Sequence, residues 1–497
     1  MTSAPNNDVL LSVRDLSLTQ TGSDAPTLVD DVSFTLAPGE RLGIIGESGS
    51  GKTLTALSVL GLPPESLAQR GSVQLTGMEL VGVSDRARRR LRGRTVSMVF
   101  QEPLTALDPL MRVGKQLEFA ARQTGVDVNA LLDDVSLPHE AARRFPHELS
   151  GGQRQRALIA MAMAGRPDVL ICDEPTTALD AGTQASVLNV IYELTARHGT
   201  ALLFITHDLK VAASMCDSLL VMHDGRVVER GATEQILNAP SHDYTRRLIA
   251  ASQPPKREAV SGCPADERPA VRVHGVSKDF GRTHALADVS LTVPRGERLG
   301  IVGGSGSGKT TLLSIIAGLE EPTSGRVDVD GHVQMVFQDP HGSLDPRMRV
   351  GDIIAEGLGS NAREHESKVA AMLEEVGLEP SAAQRFPHEF SGGQRQRISI
   401  ARALIGDPDI VLADEAVSAL DVSVRGQILD LLDRQVRERG LTLLFISHDL
   451  GVVRGLCDRV AVIHDGKLVE VGATEDTWAA PQAEYTRSLI EAATTTR

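Results

Sequence analysis

Two kinds of apolar patterning alternate along this chain. LLSVRDLSL and DDVSFTL switch between apolar and polar positions with period two, which predicts strands of a small sheet that closes at the turn PGE. RLGIIG, PDVLICD and ALLFIT are continuous apolar runs, which predict strands held inside a core. Between them SGGQRQRALIAMAMA carries the spacing of a long amphipathic helix. The same grammar then returns as VRVHGVSKDF and ADVSLTV, RLGIVG, SGGQRQRISIARAL, PDIVLAD and TLLFIS.

The repeat fixes the domain count before any local reading. Lys52 and Lys309 are 257 residues apart, Gln101 and Gln338 are 237 apart, and Ser150/Ser391, Glu174/Glu415, His207/His448 and Tyr244/Tyr485 all share a separation of 241. The second copy is therefore 20 residues shorter between its Lys and its Gln and 4 longer just after. We expect one domain over residues 1–251, a linker over 252–270 and a second domain over 271–497. The linker, SQPPKREAVSGCPADERPA, is rich in proline and charge and has no apolar period. Its 19 residues reach up to ~60 Å when extended, at about 3.3 Å per residue, and a tether of this kind commonly gives a local concentration in the mM range. Such a fusion encodes an internal pair of domains.

Composition narrows the class. A hydrophobic content of 41% with only 3% aromatics suits an α/β protein better than a sandwich or a disordered tail. A formal charge of −14 repels polyphosphate backbones, so nucleic acid is not expected as a partner. The N-terminus has neither a positive segment nor a sustained apolar one, and no segment approaches the ~18 apolar residues needed to cross a bilayer, so a cytoplasmic chain is expected. Cys172 sits in an apolar strand, Cys216 and Cys457 are repeat equivalents and Cys263 is alone; none has CxxC spacing, which speaks against disulfides and zinc.

The chemistry lies where the apolar runs end. RLGIIGESGSGKTLTALSVL runs a strand into a glycine-rich loop and then a helix, the context a phosphate-binding loop requires. Small residues at Gly46, Ser48, Gly49, Ser50 and Gly51, and again at Gly303, Ser305, Gly306, Ser307 and Gly308, let backbone N–H groups curl around phosphate oxygens. Lys52 and Lys309 are placed to neutralise the β and γ phosphates, and Thr53 and Thr310 to hold Mg²⁺. The strands PDVLICDEP and PDIVLADEA deliver Asp173 and Asp414 as further Mg²⁺ ligands, direct or through water. They also deliver Glu174 and Glu415 to orient and polarise an attacking water. His207 and His448 end the next apolar strands, placed to touch the γ-phosphate and sense its hydrolysis. Ser150, Gly151 and Gly152, and their equivalents Ser391, Gly392 and Gly393, precede long helices, where a Ser cap and close backbone approach make an anion site.

This ordered set, Walker A loop, Gln loop, SGGQ signature, Walker B strand and switch His, resembles the ATPase subunit of ABC transporters, and it covers nearly the whole chain twice. The resemblance implies an α/β fold of two tandem P-loop NTPase domains, each with a small antiparallel β subdomain and a helical subdomain. In that family two domains pair head to tail, so each ATP lies between one P-loop and the other domain's signature. One site then combines Gly46 to Thr53, Gln101, Asp173, Glu174 and His207 with Ser391 to Gly393. The other combines Gly303 to Thr310, Gln338, Asp414, Glu415 and His448 with Ser150 to Gly152. Gln101 and Gln338 join the Mg²⁺ ligands and couple the γ-phosphate to a docked permease. The family also stacks adenine on an aromatic from the first strands, a place filled by Phe280 in VSKDF and by Gln20 in LSLTQ.

MVFQEPLTALDPLMRVG and MVFQDPHGSLDPRMRVG after the Gln loops, with SHDYTRRLIAA and AEYTRSLIEAA after the domain cores, resemble the oligopeptide, dipeptide and nickel group of importer ATPases. That resemblance implies ATP and Mg²⁺ as cofactors, two transmembrane permease subunits and an extracytoplasmic substrate-binding protein as partners, and a peripheral position at the cytoplasmic face of the membrane. Peptides are the leading cargo, with nickel, a metal chelate or another small solute as the alternative. Many relatives carry a cysteine cluster after the first YTR segment; only Cys263 stands here, so no iron–sulfur centre is expected. A soluble twin-ATPase translation factor is the rival, disfavoured by the short, nearly neutral linker and the acidic charge. The dense basic run Arg86, Arg88, Arg89, Arg90, Arg92 and Arg94 lacks interleaved aromatics and reads as a solvated helix face, with a contact to permease or headgroups as its other reading.

Overall fold

A computed structural model describes residues 9–22, 26–101, 106–176, 179–252, 269–281, 283–359, 364–417, 420 and 422–494. The chain divides into two compact units, the main break falling between Ser252 and Gln253. Most of the segment read as a linker, with Cys263, lies outside the described residues.

In the first unit the strands are β1 (Leu11–Gln20), β2 (Thr27–Leu36), β3 (Arg41–Ile45), β4 (Leu67–Leu75), β5 (Met78–Glu79), β6 (Val96–Val99), β7 (Val169–Asp173), β8 (Ala201–Ile205), β9 (Ser218–His223) and β10 (Arg226–Ala232). An antiparallel sheet orders β2-β1-β4-β5, and a second sheet orders β10-β9-β3-β8-β7-β6 with only β10 antiparallel. The period-two segments form the first sheet and the continuous runs form the second. A parallel sheet covered on both faces needs apolar side chains on both. Successive residues divide accordingly: Leu170, Cys172, Leu202 and Phe204 face a core with Leu158, Ile159 and Leu194, while Val169, Ile171, Leu203 and Ile205 face one with Leu16, Val32 and Val59. The central strands are thus clamped between a helical layer and the antiparallel sheet. That leaves their carboxyl ends, where the charged residues sit, as the rigid rim of the unit.

The second unit repeats the plan with β11 (Val271–Phe280), β12 (Thr283–Val293), β13 (Arg298–Val302), β14 (Ser324–Val329), β15 (Val333–Val336), β16 (Ile410–Asp414), β17 (Thr442–Ile446), β18 (Arg459–His464) and β19 (Lys467–Ala473). Its sheets order β12-β11-β14 and β15-β16-β17-β13-β18-β19. The 20-residue difference has a location. In the first unit β4 is followed by β5 and the short helix Asp85–Arg89 before β6, whereas β14 is followed almost at once by β15.

Candidate functional site

Each apolar strand of the parallel sheet delivers one part of the site at its carboxyl end. β3 and β13 run into the glycine-rich loops, and the helices Lys52–Val59 and Lys309–Ile316 start immediately after Gly51 and Gly308. These two glycines hold φ of 95° and 101°, a left-handed conformation that turns the loop back toward the helix axis and that a side chain resists. At the loop entrance a Cβ on Gly46 would lie 2.2 Å from the Met222 carbonyl oxygen, and one on Gly303 would lie 2.1 Å from that of Ile463. The loop therefore begins pressed against β9 or β18.

Lys52 and Lys309 are buried, and each spends its ammonium on the loop itself. Lys52 Nζ donates to the carbonyls of Gly46 (2.8 Å) and Glu47 (2.7 Å), and Lys309 Nζ to those of Gly303 (2.9 Å) and Gly304 (2.8 Å). Inside the loops the buried hydroxyls Ser50 Oγ and Ser307 Oγ have no hydrogen-bond partner among the described residues. Asp173 and Asp414, at the buried ends of β7 and β16, sit close enough to the threonine beside the loop lysine, Thr53 or Thr310, for it to act on their titration. One oxygen of each carboxylate, Oδ1, is buried without a partner among the described residues. Burial is the largest influence on both acids and pushes Asp173 up to about 6, helped by Glu174 and opposed by Thr53 and Lys52. Asp414 is raised for the same reason.

The next residue of each strand end is held differently. Glu174 and Glu415 adopt φ of 46° and 49°, uncommon for a residue with a side chain. Their N–H groups donate to the carbonyls of Ile205 (2.9 Å) and Ile446 (3.1 Å), so the chain turns out of the sheet while still tied to the adjacent strand. The turn points the carboxylates at the Gln loop and the histidine together. Glu174 accepts from Gln101 Nε2 at 3.1 Å and lies 3.2 Å from His207 Nδ1. Glu415 accepts from Gln338 Nε2 at 2.9 Å and lies 3.4 Å from His448 Nδ1. At Glu415 burial alone would raise the pKa, but His448, Lys309 and Gln338 outweigh it and hold the carboxyl below its ordinary value. A carboxylate kept ionised beside a phosphate loop can accept a proton from water.

Ser150 and Ser391 are the N-caps of the helices Gly151–Met163 and Gly392–Leu404, each in a reciprocal capping box with Gln153 or Gln394. They take part in none of the bonds just described. A Cβ on Gly151 would meet the Leu179 side chain at 3.7 Å, an ordinary contact, and one on its equivalent Gly392 would meet nothing within 4 Å. Phe280 and Gln20 occupy the same place, the last residue of β11 and β1, and the phenyl ring is about half exposed. The basic run is only partly a solvated face. The helix ends at Arg89, and Arg92 donates to the Gly61 carbonyl and to Asp85.

One set of contacts was not legible from the motifs. Tyr244 and Tyr485, in the helices Asp243–Ser252 and Glu484–Thr494, place their hydroxyls against the glycine-rich loops. The N–H of Glu47 donates to Tyr244 Oη at 3.1 Å and that of Gly304 to Tyr485 Oη at 2.8 Å. The tyrosines recur at the separation of the catalytic candidates, which marks them as repeated features but says nothing of what they touch.

Comparison with known proteins bears on the same segments. The ABC transporter family matches residues 29–177 and 286–418, and the oligopeptide/dipeptide transporter C-terminal region matches residues 228–272. The chain is 42% identical to the peptidoglycan transport ATP-binding protein YejF of Agrobacterium fabrum, over 98% of this chain and 97% of that one. It is 41% identical to the glutathione import ATP-binding protein GsiA of Escherichia coli, over 93% of this chain and 86% of that one. Among solved structures, an archaeal ribosome recycling factor, aABCE1, shares the fold with a TM-score of 0.68 over 92% of this chain and 90% of that one. At 24% identity that likeness concerns the fold alone. With the family matched over more than half of the chain and a relative matched almost end to end, the chain belongs to the ATP-binding, ATP-hydrolysing proteins of the ABC transporter family, in the form that carries two such domains on one polypeptide.

Proposed function

We propose that this protein is the ATPase subunit of an ABC importer for oligo- or dipeptides, docked on two membrane permeases at the cytoplasmic face and served by an extracytoplasmic substrate-binding protein. The observation that carries the reading is the Gln–Glu–His network built alike in both units, Gln101–Glu174–His207 and Gln338–Glu415–His448, which leaves neither site without its working residues. The match of residues 228–272 to the oligopeptide/dipeptide transporter C-terminal region supports peptides as the cargo, as do the names of the relatives. No helix among the described residues is long and apolar enough to cross a membrane, so passage of the cargo requires partners that do.

In this reading Lys52 and Lys309 leave the loop carbonyls for the β and γ phosphates, and the buried Ser50 and Ser307 hydroxyls gain a phosphate partner. Glu174 and Glu415 orient the attacking water and accept its proton. His207 and His448 report the γ-phosphate, and Gln101 and Gln338 carry that state toward the permease side. The residues fit Mg²⁺: Asp173 Oδ1 and Asp414 Oδ1 are buried without a partner among the described residues, and Thr53 and Thr310 lie beside these carboxylates. When bound, the ion, held by Thr53 and Asp173 or by Thr310 and Asp414, would offset the charge that develops on the phosphates. The decisive experiment is affinity purification of the tagged full chain from native membranes. Two co-purifying permeases and a binding protein support the importer, whereas ribosomes in their place would refute it.

A further inference from the structure

We propose that Tyr244 and Tyr485 are positioning residues for nucleotide binding, each holding the entrance of its phosphate loop in the shape that receives ATP. The inference rests on the reading of these loops as the ATP sites and adds a residue that none of the loop's own motifs contains.

The peptide groups at the start of each loop are engaged by side chains on two sides. Their carbonyls, Gly46 and Glu47 in the first unit and Gly303 and Gly304 in the second, are taken by the loop lysine. The N–H between those two carbonyls is taken by the tyrosine hydroxyl. The entrance is thus fixed from both sides, and the lysine's two carbonyl bonds are the ones that must be exchanged for phosphate. Once the lysine leaves, the tyrosine is the side-chain hydrogen bond that still holds this peptide in place. An N–H committed to a phenol is also kept from turning into the phosphate cradle, which confines the cradle to the N–H groups that follow.

The hydroxyl is positioned rather than incidental. Each ring stacks on the histidine that ends β9 or β18, with centroids 3.9 Å apart for Tyr244 on His223 and 3.8 Å for Tyr485 on His464. Each tyrosine helix is fastened at its start by a glutamate from β10 or β19. Glu229 accepts from Ser241 N–H (2.7 Å) and His242 N–H (3.1 Å), and Glu470 accepts from Gln482 N–H (2.9 Å) and Ala483 N–H (3.0 Å). Packing alone would be served by phenylalanine, since the ring stack needs no oxygen. In both units the oxygen accepts a hydrogen bond from a backbone N–H of the phosphate loop.

The test uses the full chain and a fluorescent ATP analogue with Mg²⁺. Tyr244→Phe is measured in a Lys309→Ala background and Tyr485→Phe in a Lys52→Ala background, so that each titration reads one site. Loss of one neutral hydrogen bond that shapes the binding loop predicts roughly threefold to tenfold weaker nucleotide binding in each. In a chain carrying both Phe substitutions and both lysines, KM for ATP rises by a similar factor while kcat is retained. The melting temperature of the nucleotide-free protein is unchanged. Glu229→Ala, which frees the helix without touching the tyrosine, shifts site-one affinity in the same direction. Unchanged or tighter nucleotide binding in the Phe variants overturns the proposal, and so does a weakening matched by a lower melting temperature, which would make the hydroxyl a folding contact. Failure of the underlying site reading looks different: a Lys52→Ala, Lys309→Ala chain would still bind nucleotide like the unaltered protein.

Discussion

In the proposed reading the two ATP sites are built alike around the phosphates and differ where the adenine is expected, which makes unequal nucleotide affinity a sharp prediction. β1 and β11 are both ten residues long and pair with their neighbours in the same antiparallel arrangement, so Gln20 and Phe280 are structural equivalents. Lys278 Nζ lies 4.9 Å from the centroid of the Phe280 ring, anchored by Glu320 Oε2 at 2.8 Å and the Glu321 carbonyl at 2.7 Å. With an ammonium held on one side and 49% of the residue exposed, the ring keeps an open face on which a flat base can lie. Such stacking contributes about 0.5–1.5 kcal/mol beyond area burial, roughly twofold to tenfold in affinity, and Gln20 offers no ring to supply it. Calorimetric or fluorescence titration of Lys52→Ala reads the second site and that of Lys309→Ala the first. The second should bind ATP more tightly by that factor. Exchanging the two residues, Gln20→Phe with Phe280→Gln, should reverse the order. Equal affinities in the two lysine variants, or an order the exchange leaves untouched, would refute the reasoning.

Three further outcomes follow from the geometry. Glu174→Gln with Glu415→Gln keeps a neutral partner for Gln101 and Gln338 but removes the proton acceptor, so single-turnover hydrolysis should fall by about 10²-fold or more while ATP binding persists; near-normal turnover would remove the glutamates from the chemistry. Asp173 is raised from 3.8 to about 6 chiefly by burial, so the nucleotide-free fold holds its proton more tightly than the unfolded chain does. Its stabilising contribution is therefore full below about pH 4 and lost as pH rises through about 6, an effect on the order of 3 kcal/mol at most. Asp173→Asn should accordingly raise the melting temperature at pH 7.5 without nucleotide while lowering Mg²⁺-dependent ATPase; a lowered melting temperature would contradict this. Arg298 is buried between Asp433 and Asp458, whereas its counterpart Arg41 pairs with Asp217 near the surface and stacks on Tyr192. Arg298→Met should destabilise the second unit by about 3–5 kcal/mol and Arg41→Met the first by about 1 kcal/mol, read as separate calorimetric transitions, and equal costs would count against the burial argument.

Much of this site was legible because its parts are local. A strand, a glycine turn and a helix follow one another within GESGSGKT and GGSGSGKT, and DE and HD stand at the ends of apolar runs whose burial in a parallel sheet is itself a sequence property. Contacts between distant positions were not legible. Nothing in the letters around Tyr244 reveals that its hydroxyl meets an N–H 197 residues earlier, because the meeting depends on how β9, β10 and the last helix of the unit stack. The left-handed turn at Glu174 is equally silent, since acidic residues do not announce positive φ, and it takes the bond to Ile205 to hold it. The basic run divided for the same reason. Arg92 finds the Gly61 carbonyl 31 positions away, a contact that charge patterning along a helix cannot anticipate.

In the proposed reading the phosphate loop and its neighbours also account for where the energy of nucleotide binding comes from. Beside each glycine-rich loop lie two of the buried polar atoms that lack partners among the described residues, Ser50 Oγ with Asp173 Oδ1 and Ser307 Oγ with Asp414 Oδ1, and a glutamate next to the aspartate is held at positive φ. Each unsatisfied buried group costs about 1–3 kcal/mol and each strained backbone position a similar amount, a deficit a domain tolerates only where something else benefits. The ligand that removes it must bring acceptor oxygens to the serine and a cation to the aspartate at the same moment, which describes a nucleotide triphosphate with its metal better than either part alone. The affinity gained in this way is available only to a conformation that aligns loop, Walker B strand and Gln loop together. A ligand that binds one arrangement this much better than another shifts the population toward it, and a shift of that kind is the physical form in which hydrolysis can reset the protein for the next cycle.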